Sequence, residues 1–306
     1  MNKIGFVFPG QGVQYVGMGK DFYEEFSIAR EMMNLASRET GLDIPALCFE
    51  ENSLLSVTEY TQAALLAVSV GILKVLEEMG IKADIHAGLS LGEYGALTAS
   101  GALTPEVAFG LVRKRGIYMQ EAVPIGGAMA AVLGVEAGLV EKICAQTEGM
   151  VSVANYNCPG QIVITGEEGA VFRAGEALKS AGARRIAPLN VSGPFHSPML
   201  FRAGERLEEA LKEVEIHPIQ IPYITNVTAE PVTDASVVKE LLKKQVSSPV
   251  LWQQSMERMI AQGVDTFIEI GPGKTLTGFL RKINRNVKTL NVAKTQDLER
   301  VRRECL

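Results

Sequence analysis

A serine stands at the centre of Gly88-Leu89-Ser90-Leu91-Gly92, between a short segment over 84–88 that reads as a strand and a stretch over 91–100 that reads as a helix. That order constrains the chain more than any other feature, because a serine on a tight strand-to-helix turn belongs to an α/β architecture. The turn holds the hydroxyl clear of the backbone, small flanking glycines relieve crowding, and the helix N-terminus favours a developing negative charge. The five-residue pattern alone also fits a structural turn serine. With a strand before it and a helix after it, Ser90 reads as a nucleophile.

The rest of the chain extends the α/β reading. Residues 4–8 form a buried strand ended by a Gly-rich loop, the segments 21–37 and 62–79 carry helical spacing, and Pro105 opens a helix reaching about Glu121. From Gly127 the rhythm becomes strand 128–133, helix 136–146, strand 151–154, strand 161–165, helix 170–181 and strand 184–187. This βαββαβ order describes a ferredoxin-like unit inserted into the larger one. The expected division is a large domain with a parallel-sheet core, residues 1–123 and 191–306, and a small domain, 124–190. After the insert come a helix over 198–214, a strand near 223–225, helices over 237–245 and 251–262, and a strand over 266–270.

Composition narrows the function. A net charge of −5 over 306 residues argues against general nucleic-acid binding, which needs an excess of Lys and Arg, so an acidic partner requires a local basic patch. Cys48, Cys144, Cys158 and Cys305 show no C-x-x-C pairing and read as buried or idle thiols. Pro9 and Gly10 interrupt the N-terminus before a signal-peptide core, and the longest apolar run, 63–73, stops at Lys74. A cytoplasmic chain with no membrane span is expected.

A serine nucleophile needs a base, and the chain has three histidines. His86 lies on the strand entering the turn and cannot easily reach back to the hydroxyl, and His217 before Pro218 reads as a surface loop residue. His196, in the rigid loop Ser192-Gly193-Pro194-Phe195-His196-Ser197, is the candidate; the residues alone leave open whether it is a base or a structural loop residue. Two glycine motifs are decoys. The loop at Gly10 has Tyr15 where a dinucleotide fingerprint needs glycine, and Gly271-Pro272-Gly273-Lys274-Thr275 has Ile268 where a phosphate loop needs its first glycine. No His, Cys and carboxylate cluster has metal spacing. Arg113, Lys114 and Arg115 read first as a solvated cationic stripe.

Together these pieces resemble the malonyl-CoA:acyl-carrier-protein transacylases and, more broadly, the acyltransferase domains of polyketide synthases. The likeness runs the whole chain, through Phe8-Pro9-Gly10-Gln11-Gly12, Gly92-Glu93-Tyr94, Met119-Gln120-Glu121-Ala122-Val123-Pro124, Gly127-Ala128-Met129-Ala130-Ala131-Val132, Ala154-Asn155-Tyr156-Asn157-Cys158-Pro159-Gly160-Gln161, Asn226-Val227-Thr228 and Glu269-Ile270-Gly271-Pro272-Gly273-Lys274. The resemblance implies a hydrolase-like large domain with a ferredoxin-like insert, and ping-pong transfer of malonyl from coenzyme A to the phosphopantetheine thiol of acyl carrier protein for fatty-acid synthesis. It implies Ser90 as acyl carrier, His196 as base, the backbone of Gln245 orienting that histidine, and the N–H groups of Gln11 and Leu91 as oxyanion hole. Arg115 then grips the malonyl carboxylate, and Phe195 crowds an α-methyl group. No cofactor is implied beyond the coenzyme A thioester substrate, and a monomer is expected.

One position departs from the family, which has histidine where this chain has Leu89; the Ser90–His196 pair is expected to survive that change. The rivals are a serine thioesterase or hydrolase using the same pair, and a noncatalytic carrier-protein binding module. Arg184, Arg185, Arg281 and Lys282 are candidates for docking the acidic carrier.

Overall fold

The computed structural model describes residues 3–191 and 193–306. The chain opens with β1 (Lys3–Phe8), buried over its last residues, and passes through α1 (Lys20–Glu25), α2 (Ser27–Thr40), α3 (Ile44–Phe49) and α4 (Thr58–Glu78). The single helix expected over 21–37 is two: Phe26 takes an extended backbone, φ −119° and ψ 120°, and divides α1 from α2. Periodicity misses this break because the Phe22 and Phe26 rings still meet, at 5.8 Å. By length and composition α4 could cross a bilayer, yet 83% of its most apolar stretch is buried within the protein, so it serves as the central core helix.

β2 (Ile85–Gly88) leads into α5 (Gly92–Ala99) and α6 (Pro105–Ala122), the latter started by Pro105 and a Thr104 side chain that accepts from the Val107 N–H. Next come β3 (Gly127–Leu133), α7 (Ala137–Gln146), β4 (Val151–Cys158), β5 (Gln161–Glu167), α8 (Glu168–Ser180) and β6 (Arg185–Pro188). The remainder comprises α9 (Phe201–Lys212), β7 (Tyr223–Ile224), β8 (Pro231–Val232), α10 (Val238–Ser247), α11 (Trp252–Ala261), β9 (Val264–Ile270), α12 (Thr275–Ile283), β10 (Lys288–Val292) and α13 (Asp297–Cys305). The helix expected over 198–214 opens as a 3-10 turn, Pro198–Leu200, before α9.

Two sheets result. The larger has the order β10-β9-β1-β2-β7-β8, parallel except for the edge pair β7–β8. Its inner strands are covered on both faces: every residue of β2 and every residue of β9 except Asp265 is buried, and the polar His86, Thr266 and Glu269 are buried with them. The smaller, β4-β5-β3-β6, is antiparallel, the ferredoxin-like order that βαββαβ connectivity produces. Its edge is tied to the larger unit where β4 flanks Val250: Tyr156 N–H donates to Val250 O at 3.0 Å and Val250 N–H to Ala154 O at 2.8 Å.

The register aligns Phe8 at the end of β1 with Gly88 at the end of β2. The two loops that leave these strands therefore lie side by side at the carboxyl edge of a parallel sheet, where ligands of open α/β folds bind.

Candidate active site

Ser90 sits between β2 and α5 with φ 53°, a left-handed backbone that a non-glycine residue holds only when its surroundings impose it. The surroundings are tight. A methyl on Gly92 would come within 2.1 Å of the Phe8 carbonyl oxygen, and one on Gly88 within 1.9 Å of the Gly92 carbonyl oxygen. The glycines thus let α5 start directly against β1. Asn226, just past β7, clasps the turn: its Oδ1 accepts from Ser90 N–H at 2.6 Å and its Nδ2 donates to Gly88 O at 2.6 Å. Leu89 packs against Gly10 and the apolar core beside β2, so the turn closes without a polar side chain at that position.

His196 also has a left-handed backbone, φ 61°, and its ring is buried. Nε2 lies 2.7 Å from Ser90 Oγ. Nδ1 faces two carbonyl oxygens, Gln245 at 2.9 Å and Ser248 at 3.2 Å. Carbonyl oxygens only accept, so the proton belongs on Nδ1 and the lone pair of Nε2 faces the serine hydroxyl. Burial, reinforced by the Arg115 charge and partly offset by the two carbonyls, lowers His196 to about 4 and keeps the imidazole neutral. Of the loop that carries it, Ser192 lies outside the described residues.

Arg115 overturns the solvated-stripe reading. It is 1% exposed, whereas Arg113 pairs with Glu59 at 2.6 Å and Lys114 faces solvent. A methyl on Gly116 would come within 2.7 Å of Glu59 Cα, so glycine lets α6 approach α4 closely beside Arg115. Nη1 then donates to Gln62 Oε1 on α4 at 2.7 Å, and Nη2 to Gln245 Oε1 at 2.9 Å and to Ser90 Oγ at 3.1 Å. The cation therefore touches the hydroxyl that the histidine also touches. Burial lowers the Arg115 pKa.

Behind the turn lies Glu93, fully buried on the first turn of α5. Burial raises it to about 7 against four hydrogen-bonding or charged neighbours that pull it down. Gln245 Nε2 donates to Glu93 Oε2 at 2.6 Å and to Ser90 O at 2.9 Å.

A cavity of about 170 Å³ opens over Ser90 and is bordered by Gln11, Gln62, Leu91, Met119, Met129, Asn155, Asn157, Phe195 and His196. All seven residues expected at the site are therefore found around this cavity or bonded to its walls. Gln62, Glu93, Asn226 and Ser248 were not foreseen as site residues; only the positions of Glu93 and Asn226 inside recurring motifs hinted at them. The other histidines stand apart: His86 is buried against Phe6, and His217 is partly exposed near Glu215. The phosphate-loop decoy at Gly271 is filled by the protein itself, since Glu269 accepts from Leu276 N–H and Thr277 N–H at the start of α12. Among the described residues, no group of three or more His, Cys, Asp or Glu is placed to hold a metal ion.

A family model described as Acyl transferase domain matches residues 5–303. The malonyl CoA-acyl carrier protein transacylase of Bacillus subtilis (strain 168) is 45% identical over 304 residues, covering 98% of this chain and 96% of the relative. The crystal structure of the malonyl CoA-acyl carrier protein transacylase from Clostridium perfringens is 46% identical with a TM-score of 0.95, covering 99% of this chain and 96% of the other. A type II polyketide synthase acyl-carrier protein in complex with its malonyl-transacylase gives a TM-score of 0.96 at 38% identity, covering 99% of both chains. Whole-length similarity of this kind, together with a serine turn, a neutral histidine and a buried arginine on one cavity, places the chain in the acyl transferase family, among the malonyl CoA-acyl carrier protein transacylases.

Proposed function

We propose that the protein transfers malonyl from malonyl-CoA to the phosphopantetheine thiol of acyl carrier protein through an ester on Ser90, supplying the extender unit for fatty-acid synthesis. The observation that carries this reading is one buried guanidinium 3.1 Å from a serine hydroxyl that is itself 2.7 Å from a neutral imidazole. A hydroxyl activated beside a fixed cation suits an acyl group that ends in a carboxylate.

His196 Nε2 takes the Ser90 proton as Oγ attacks the thioester carbonyl carbon. The tetrahedral oxyanion is held by the backbone N–H groups of Gln11 and Leu91, each such donor contributing about 3 kcal/mol to the transition state. Collapse breaks the carbon–sulfur bond, and the imidazolium returns its proton to the departing thiolate of coenzyme A. The carrier thiol then gives its proton to His196 and attacks the ester, and Ser90 Oγ recovers that proton as it leaves. The Gln245 and Ser248 carbonyls stabilise the imidazolium by accepting from Nδ1, the part a carboxylate plays in a Ser-His-Asp triad.

Arg115 receives the malonyl carboxylate as a bidentate pair, and acetyl offers it nothing. Phe195, buried at the cavity wall, crowds a branched α-carbon. Residues 124–190 act as the small domain, contributing Met129, Asn155 and Asn157 to the wall, while 1–123 and 191–306 carry the reacting groups. One chain supplies every group, as suits a monomer, and its four unpaired thiols suit the cytoplasm.

Intact mass after mixing with malonyl-CoA tests the reading. The expected result is an ester on Ser90 that moves to added carrier protein, with a much weaker adduct from acetyl-CoA. An adduct lost to water with carrier present indicates a hydrolase, and no adduct indicates a binding module.

A further inference from the structure

Glu93 is fully buried three residues after the nucleophile and has no place in the chemistry above, yet Ser90, His196 and Arg115 are each joined to it through Asn226 or Gln245. Its Oε2 accepts from Gln245 Nε2 at 2.6 Å and from Asn226 N–H at 3.1 Å. Asn226 holds the backbone of Ser90 and Gly88. Gln245 holds His196 through its carbonyl and Arg115 through its side-chain oxygen.

A carboxamide has two ends of opposite character, and nothing in its shape says which faces which neighbour. Here the neighbours decide. An Oε2 that accepts draws the NH2 of Gln245 toward Glu93, and the same NH2 also donates to Ser90 O at 2.9 Å. The oxygen is then left facing Arg115 Nη2 at 2.9 Å. With the amide turned over, its NH2 would confront the guanidinium, donor against donor, and the cation would move off the serine.

We propose that Glu93 is the positioning residue for malonyl selectivity: by fixing the orientation of the Gln245 carboxamide it aims the Arg115 guanidinium at the acyl group on Ser90. The proposal rests on the reading that Arg115 receives the malonyl carboxylate. Glu93 touches neither substrate nor reacting atoms, and its effect passes through Gln245.

The test compares kcat/KM for loading Ser90 from malonyl-CoA and from acetyl-CoA in the wild type, Glu93→Gln, Gln245→Met and Arg115→Ala. Glu93→Gln keeps the shape but offers Gln245 a donor as readily as an acceptor. Its malonyl loading is expected to fall at least tenfold while acetyl loading changes less than threefold, so the preference narrows. Gln245→Met removes the relay and leaves its backbone carbonyl on His196; whatever its overall rate, its ratio of malonyl to acetyl loading should fall at least threefold even if Glu93→Gln does not fold. In an Arg115→Ala background, adding Glu93→Gln should change malonyl loading less than twofold. Equal losses for both acyl groups would show a merely structural role, and a wider malonyl preference would show Glu93 to be an anion competing with the substrate; either overturns the proposal. Absence of a malonyl ester in the wild type, or an Arg115→Ala enzyme with its preference intact, would instead defeat the functional reading on which the proposal rests.

Discussion

Arg115 spends its charge in a place where water cannot compensate it, held by Gln62, Gln245 and Ser90. Truncating a buried, hydrogen-bonded charge that meets an anionic ligand costs about 3 kcal/mol, roughly a hundredfold. Arg115→Ala should therefore lower kcat/KM for malonyl loading about a hundredfold and leave acetyl loading nearly unchanged, as read by quenched-flow mass spectrometry. His196 supports a second expectation. Its pKa is lowered to about 4, so the base stays neutral throughout the neutral range. The acid limb of kcat/KM for loading should fall near pH 4, and a limb at the ordinary histidine value of 6.5 would show that burial does not govern the base.

Among the elements, the join of β2 to α5 tolerates least. Gly92→Ala places a methyl 2.1 Å from a backbone oxygen that cannot rotate away. Such overpacking against backbone destabilises by roughly 3 kcal/mol or more, and the variant should show a depressed thermal midpoint or fail to accumulate as folded protein. β2 also carries His86, which burial lowers to about 3. From pH 6.5 downward the unfolded chain protonates this histidine and the folded one does not, so its contribution to stability is lost as pH falls, by about 1.4 kcal/mol per pH unit. His86→Phe keeps a ring against Phe6 and removes that dependence. Its stability relative to the wild type should rise by about 1.4 kcal/mol for each unit of acidification between pH 6.5 and 4.5; a constant difference in chemical denaturation would contradict this.

At the scale of the molecule, an acidic carrier must find local positive charge on a chain of net charge −5. Arg184, Arg185, Arg281 and Lys282 are all exposed, and Lys282 reaches Gln161 at the start of β5, so basic groups of α12 border the small sheet. Reversing these four charges should raise the KM for carrier protein about tenfold while leaving malonyl loading from coenzyme A unchanged. An unaltered KM would move the docking surface elsewhere.

The amino-acid sequence by itself determined what depends on near neighbours. The serine turn, the helix opened by Pro105 and the βαββαβ order were legible because glycine, proline and apolar periodicity act within a few residues. Local signals also have limits: Phe26 breaks a helix without disturbing its periodicity. What only the tertiary structure decided is the environment of each reacting group. Arg115 had the local sequence of a solvated stripe, and its burial follows from the closeness of α4 and α6. His196 meets Ser90 across 106 residues and Gln245 across 49, and Asn226 grips the turn across 136. Glu93, adjacent in sequence, became a site residue only when Gln245 arrived 152 positions later. Hydrogen-bond partners so far apart in the chain, and the exclusion of water that gives their charges weight, exist only once the elements have packed.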